Sequence, residues 1–448
     1  MQSCLTGGNL VLLIKGGMVV DPSRRINGRY DLVISDCRVK ALAPGIEPEG
    51  MEVIDAAGKI VIPGLFDMHT HLREPGQEYK ETVLTGSRAA AAGGYTSITA
   101  LPNTNPSLDN KDVVRYVREK AELAGLVRVW PVGAVTKGSL GRELADIGGM
   151  KEAGVVAVTD DGRGVAATDL LREALIQCRQ LNIPLLQHCE DEAISGAGQL
   201  HEGSVSLRLG QSGIPAAAET RMLKRDLQIA QETGARLHIM HVSTARAVEM
   251  IRRAKAEGVN VTAEVTPHHL LLTDELVAAL FAMAKMKPPL RTAADVEALR
   301  EGLSDGTIDA VATDHAPHSE SEKSGDFTAA PFGIVGLETA FAVLYTHLVK
   351  SRMLPLDLLV EKMSCSPAAI LGLPYGTLSP GSAADLVILD LETKRVINRH
   401  QFYSKGKNTP FHDWEVYGTP VLTMVAGKVV MRDGIVSGHA NEGSNNEN

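Results

Sequence analysis

From about residue 60 to residue 320, short apolar, β-branched runs alternate with amphipathic stretches, a pattern that restricts the chain to successive βαβ units around a parallel sheet. Strand candidates fall at 60–65, 96–101, 127–132, 155–158, 184–187, 236–240, 259–265 and 309–312. Helical text lies between them, as at 79–92, where Gly93-Gly94 supplies the stop. Eight such repeats predict a closed (β/α)8 barrel of the α/β class. The flanks differ. Residues 10–58 and 375–435 carry short strands with turn signals, such as Lys15-Gly16-Gly17, Ile26-Asn27-Gly28 and Ala426-Gly427-Lys428. Both chain ends are expected to build one small β domain. The expected division is 1–60 and 375–435 for that domain, 61–374 for the barrel, and 436–448 for a disordered tail. From Gly434 onward the chain is rich in Gly, Asn, Ser and Glu and has too little apolar surface to order itself.

With 448 residues, 44% hydrophobic and 22% charged, the chain can bury a large core plus a second module. A net charge of -9 without a basic run leaves no electrostatic footprint for nucleic acid or an anionic membrane, so a small-molecule substrate is expected. The 5 cysteines form no Cys-x-x-Cys pair, and an odd count suits a reduced compartment better than a disulfide framework. Any metal must then rely on histidines and carboxylates. The apolar run at 10–14 is too short for a signal segment or a membrane span, which points to the cytoplasm.

Active groups of a (β/α)8 barrel sit where strands end, at the C-terminal mouth. Here the strand ends read His69-Thr70-His71 with Arg73, then Pro102-Asn103-Thr104-Asn105, Thr159-Asp160-Asp161, His188-Cys189-Glu190, His241-Val242-Ser243, Pro267-His268-His269 and Thr313-Asp314-His315-Ala316-Pro317-His318. On a strand, residues i and i+2 share a face, so His69 and His71 can grip one ion. Taken singly, His188 or His241 reads as an ordinary hydrogen-bonded histidine, and Asp160-Asp161 as a turn or cap. Their joint placement points to metal, and imidazole with carboxylate suits zinc and related divalent ions.

Four histidines and two carboxylates exceed the needs of one tetrahedral ion with an open position. Two ions would use them all: His69, His71 and Asp314 on the first, His188 and His241 on the second, and one member of the Asp160-Asp161 pair as bridge. Such a centre lowers the pKa of bound water from about 15.7 towards about 7 and polarises a carbonyl, which implies hydrolysis. Asp314 is the natural proton shuttle. Arg73 is suited to bidentate capture of a carboxylate, its alternative being a salt bridge to Glu74, Glu78 or Glu81. Asn103 and His318 are candidates for completing an anion pocket. The polar run 319–326 has no apolar periodicity and reads as a loop beside the site, either a lid or merely solvated.

These motifs, running from Pro63-Gly64-Leu65-Phe66-Asp67-Met68-His69-Thr70-His71-Leu72-Arg73-Glu74-Pro75-Gly76 to Pro331-Phe332-Gly333, resemble the amidohydrolase superfamily. Within it the chain is similar to the bacterial dihydroorotases whose metal bridge is an aspartate and not a carbamylated lysine. The resemblance implies reversible closure of N-carbamoyl-L-aspartate to L-dihydroorotate in pyrimidine biosynthesis. It also implies Asp161 as the bridge, Arg73, Asn103 and His318 on the substrate carboxylate, and the Phe332-Gly333 backbone against the ring. One position departs: the family usually has asparagine before Pro-Pro-Leu-Arg, where this chain has Lys287. Lysine donates but cannot accept. As a substrate contact it adds an attraction for an anion; otherwise it turns to solvent, or the substrate differs. The expected assembly is a homodimer, with aspartate carbamoyltransferase as a further partner. Competing readings are a hydantoinase or allantoinase, which would carry a carbamylated lysine where Asp160-Asp161 stand, and a non-catalytic scaffold for that transferase, which would have lost metal ligands.

Overall fold

Gly64 divides two sheets that the apolar run 60–65 suggests are one strand. The computed structural model describes residues 11–438. In it Ile60–Pro63 belongs to a seven-stranded mixed sheet, whereas Leu65–Asp67 opens a parallel one. Any Cβ at residue 64 would overlap the Thr96 side chain, so only glycine lets the chain cross this close to the next strand. Gly64 N donates to Asp385 O at 3.0 Å and its carbonyl accepts from Ser364 Oγ at 2.7 Å, which fixes the crossing point.

Leu65–Asp67, Tyr95–Ala100 and Arg128–Pro131 form one parallel sheet. Leu185–Gln187, Leu237–Ile239, Val261–Val265 and Ala310–Val311 form another. The segment expected at 155–158 is reduced to Val158, which bridges in parallel to Gly133 on one side and Leu185 on the other and so links the two sheets. At the far ends Thr70 bridges to His315, and His71 N donates to His315 O at 2.9 Å. The eighth segment thereby returns to the first. Apolar runs of this kind suit strands buried on both faces: Ile98, Leu185, Leu237, Ile239 and Val265 pack with the helices, while Phe66, Met68, Leu101, Leu186 and Met240 form a separate buried cluster.

Helices cover the strands with one apolar stripe each; Lys111–Ala124, for example, buries Val114, Val117 and Ala121. The helix expected at 79–92 begins only at Val83, because Thr82 and Thr85 form a reciprocal cap at its N-terminus. Residues 80 and 81 are thereby released towards the site, where Lys80 meets His318 and Glu81 meets His315.

The mixed sheet runs Ile435–Val436, Lys428–Arg432, Thr419–Val425, Leu386–Asp390, Ile60–Pro63, Met18–Asp21 and Ile26–Arg29, so strands from both ends of the chain share it. Against it lies a four-stranded sheet from the N-terminal part, and Leu12, Ile14, Leu32 and Ile34 share a core with Leu386, Ile388 and Met424. The tail expected to fray from Gly434 begins instead with a short strand, Ile435–Val436, paired to Met431 and Arg432. The remainder of that tail, from 439, lies outside the described residues. Among the described residues Cys178, Cys189 and Cys365 are free, whereas Cys37 is disulfide-bonded, which departs from the reduced compartment expected from the odd count. Among the described residues no helix is long and apolar enough to cross a membrane.

Candidate metal centre and active site

Four strand ends and one bridge segment bring their polar residues to a single buried cup. His69 and His71 follow Leu65–Asp67, Asp161 follows Val158, His188 follows Leu185–Gln187, His241 follows Leu237–Ile239, and Asp314 follows Ala310–Val311. Asp314 Oδ1 lies 3.3 Å from His69 Nε2 and 3.0 Å from His71 Nε2. Asp161 Oδ1 lies 3.3 Å from His188 Nδ1, 3.5 Å from His241 Nε2 and 3.8 Å from His69 Nε2, while its Oδ2 is 3.5 Å from His71 Nε2. Asp161 therefore stands between all four imidazoles. Asp160 does not: its carboxylate accepts from Val135 N, Thr136 N and Thr136 Oγ1 and holds the preceding loop. Of the two aspartates that residue types left open, only Asp161 faces the imidazoles.

The donor set fits metal. An ion held at about 2.0–2.2 Å by each ligand sets neighbouring donors roughly 3 to 3.6 Å apart, and the facing atoms here are 2.8 to 3.8 Å apart. His69 Nε2 and Asp161 Oδ1 are buried without a hydrogen-bond partner, an arrangement that is costly unless a bound group satisfies both. Two overlapping groups of potential ligands result, His69 with His71 and Asp314, and His69 with Asp161 and His241.

The outward-facing ring nitrogens of His69, His71 and His188 are also anchored. His69 Nδ1 is 2.6 Å from Glu264 Oε1, His71 Nδ1 is 2.8 Å from Asn103 Oδ1, and His188 Nε2 is 3.2 Å from Glu190 Oε2. An acceptor on the outer nitrogen puts the proton there and turns the inner lone pair to the cup. Glu264 is itself held by His238 at 3.1 Å, and His238 by Thr262 at 2.8 Å. In the metal-free chain burial opposes ionisation of Asp161, but His188, His241 and His69 outweigh it and hold the carboxyl well below its usual range. For Asp314, likewise, burial is overcome by His69 and His71. Burial works against a charged His188 too, yet Asp161 and Glu190 push it up to about 9. Arg73, His241 and Asp314 hold φ of 60°, 33° and 47°. Left-handed backbone costs a non-glycine residue about 1–3 kcal/mol and is retained where the surroundings over-determine it.

Beside the cup lies a cationic wall. Arg73 Nε donates to Pro317 O at 3.2 Å, its Nη2 is 3.4 Å from His318 Nε2, and no ion pair to Glu74, Glu78 or Glu81 forms among the described residues. His318 Nε2 is 2.9 Å from Phe332 O, and Lys80 Nζ approaches its Nδ1 at 3.3 Å. Burial, with Arg73, Lys80 and Lys323 nearby, pushes His318 down to about 2, so it is neutral at working pH. Its pKa when unfolded is near 6.5, so below that value the unfolded chain binds a proton that the folded chain does not, and stability falls as pH drops. In metal-free protein, His318→Asn is expected to abolish about 2 kcal/mol of the loss between pH 7.5 and pH 5. Melting curves of both proteins at the two pH values check this; parallel losses would refute it.

The run 319–333 is strapped down. Ser319 and Glu322 cap a short helix, Glu320–Lys323. Buried Lys323 Nζ donates to Pro331 O at 2.9 Å and Gly333 O at 3.0 Å, and buried Lys285 Nζ donates to Phe327 O at 2.7 Å and Ala330 O at 2.6 Å. Gly333 has φ of 149°, and a Cβ there would lie 2.7 Å from Ala316 O. Lys287 Nζ sits 2.9 Å from Glu190 Oε1. Residue types alone did not single out Glu264, His238, Glu190 or the two buried lysines. A charge at Glu264 inside the apolar strand Val261–Val265 was the one available signal, since an unpaired carboxylate is not buried there without purpose.

A family model described as dihydro-orotase-like matches residues 58–247. Among curated proteins, a dihydroorotase of Pelotomaculum thermopropionicum is 51% identical, covering 95% of this chain and 99% of the relative. A dihydroorotase of Geobacter metallireducens is 50% identical, covering 94% and 99%. Solved structures are similar at greater distance. An L-hydantoinase from Arthrobacter aurescens has 29% identity and TM-score 0.84 over 95% of this chain and 97% of its own, and a dihydropyrimidinase from Brevibacillus agri has 26% and 0.84 over 96% and 97%. Half identity over nearly all of both chains leaves no segment of the cup outside the match, and the chain belongs to the dihydroorotase family.

Proposed function

We propose that this chain catalyses the reversible cyclisation of N-carbamoyl-L-aspartate to L-dihydroorotate with loss of water, a step of de novo pyrimidine biosynthesis. The observation that carries the proposal is Asp161 standing among four imidazoles, with Asp314 opposite and the Arg73 guanidinium alongside. The proposal takes the two bridged parallel sheets as a (β/α)8 barrel, with residues 61–374 as the catalytic part and 1–60 with 375–435 as a composite β domain. Zinc is the proposed ion, two per chain, held by His69, His71, Asp161, His188, His241 and Asp314. When bound, such ions supply the Lewis acidity that activates water and polarises an amide carbonyl. A cytoplasmic homodimer, with aspartate carbamoyltransferase as a further partner, completes the reading.

Asp314 moves the proton. Its Oδ1 faces His69 and His71, while Oδ2 makes no hydrogen bond among the described residues and is left to take a proton from water and hand it to the departing ring nitrogen. In ring closure the same oxygen accepts the carbamoyl N–H proton. Arg73, with Asn103 and neutral His318, binds the substrate carboxylate, since a guanidinium in a dry pocket matches a carboxylate fork to fork. Phe332 N–H makes no hydrogen bond among the described residues, while the Gly333 N–H and carbonyl are committed to Lys285 O and Lys323 Nζ. The Phe332 amide is thus the donor this segment can offer a ring carbonyl.

The solved relatives named for hydantoin and dihydropyrimidine chemistry motivate the second reading, a cyclic amidohydrolase for rings without a carboxylate. Steady-state hydrolysis rates with dihydroorotate, hydantoin, dihydrouracil and allantoin separate the two. Dihydroorotate is expected to give by far the largest kcat/KM, and faster turnover of a ring lacking the carboxylate would overturn the assignment.

A further inference from the structure

Lys287 is the site position at which the sequence departs from the family pattern, and its ammonium is already engaged. Nζ lies 2.9 Å from Glu190 Oε1, an oxygen with no hydrogen-bond partner, so this charge is its nearest compensation. Glu190 Oε2 lies 3.2 Å from His188 Nε2. On the other side of that ring, His188 Nδ1 is 3.3 Å from Asp161 Oδ1 and 2.8 Å from His241 Nε2. An unbroken line of polar contacts therefore runs from the rim to the centre, with side-chain exposure falling from 24% at Lys287 to 7% at Glu190 and 3% at His188. The segment carrying Lys287 is pinned as well, since His269 Nε2 is 3.0 Å from Pro288 O.

We propose that Lys287 is a positioning residue of the metal centre, acting through Glu190 on His188, and not a direct substrate contact. The inference rests on the metal reading given above. An ammonium on Oε1 limits rotation of the carboxylate and leaves Oε2 as acceptor for the His188 Nε2–H. That hydrogen bond selects the tautomer whose Nδ1 lone pair faces Asp161 and His241. The positive charge of Lys287 also opposes an incoming cation, but the Glu190 carboxylate stands between and cancels it. The outer pair is close to neutral, and its effect on the centre is orientation. A neutral, shorter amide in place of the lysine cannot compensate the Oε1 charge.

The test is the zinc dissociation constant of full-length, metal-stripped protein, measured by competition with a chromophoric chelator. Wild type is compared with Lys287→Met, Lys287→Arg, Glu190→Gln and the Lys287→Met/Glu190→Gln double variant. Melting curves of the same metal-free samples and KM for dihydroorotate accompany each. Removing outer-shell partners typically weakens metal binding about 10- to 100-fold, and Lys287→Met is expected at the low end of that range, with Lys287→Arg restored to near wild type. In the Glu190→Gln background, Lys287→Met is expected to change zinc affinity no further, a coupling that a purely structural role would not produce. Should Lys287→Met not fold, Lys287→Gln replaces it, with the same expectation. Wild-type zinc affinity in Lys287→Met, with KM raised equally in both backgrounds, would show a substrate contact and overturn the proposal. Wild-type protein that binds no zinc would overturn it together with the metal reading, whereas zinc binding that is strong and indifferent to these substitutions sinks the role of Lys287 alone.

Discussion

Asp314→Asn is expected to lower kcat for dihydroorotate hydrolysis by about a hundred- to ten-thousand-fold, the usual contribution of a positioned general acid–base group, while the fold persists. Asparagine keeps the carbonyl oxygen that faces His69 Nε2 and His71 Nε2 at 3.3 and 3.0 Å, and it loses the anionic oxygen that carries the proton. It is also the substitution the backbone tolerates best, because residue 314 holds φ of 47°, where Asn and Asp are enriched among non-glycine residues. Replacement by alanine would mix loss of the shuttle with backbone strain. Removal of the buried charge also reduces the electrostatic pull on His69 and His71, so zinc content must be measured beside the rate. A variant with full metal content and unchanged kcat would remove Asp314 from proton transfer.

Arg73→Lys is expected to raise KM for dihydroorotate about 10- to 100-fold and to lower kcat/KM to match, the worth of roughly 1.5–3 kcal/mol in charged hydrogen bonds. The charge survives the exchange but the geometry does not. Arg73 uses Nε on Pro317 O and still presents two terminal nitrogens to the pocket, whereas an ammonium offers a single point from which it must satisfy both that carbonyl and the substrate. The long side chain is 7% exposed, so a shorter reach cannot be made up by solvent. Initial-rate kinetics over a range of dihydroorotate concentrations check the result; wild-type KM would mean that the carboxylate is held elsewhere.

Much of the cup was legible because its signals are local. Two imidazoles one residue apart at a strand end must share a face, and a polar residue at the end of each apolar run must gather at one mouth if the runs lie parallel. Other readings failed where a non-local contact overrode the local pattern. The run 60–65 looks like one strand, but Gly64 hands Ile60–Pro63 to a partner more than three hundred residues away in sequence and keeps Leu65–Asp67 for the parallel sheet. The helix expected from 79 starts at 83 because its first residues are drawn to His315 and His318. The polar run after His318 offers no apolar periodicity, yet Lys323 and Lys285 tie it down through backbone carbonyls that no side-chain pattern reveals.

By itself the sequence determined the donor types, their alternation with strands and the family they resemble, because ligand chemistry and a period of two are properties of neighbouring residues. Tertiary structure alone decided that Asp161 faces the imidazoles while Asp160 holds a loop, that Glu264 stands behind His69 across 195 positions of chain, and that Lys287 meets Glu190. The reason is one of range: a carboxylate's role follows from what lies within about 3 Å of its oxygens, and in this fold those atoms come from segments far apart along the chain.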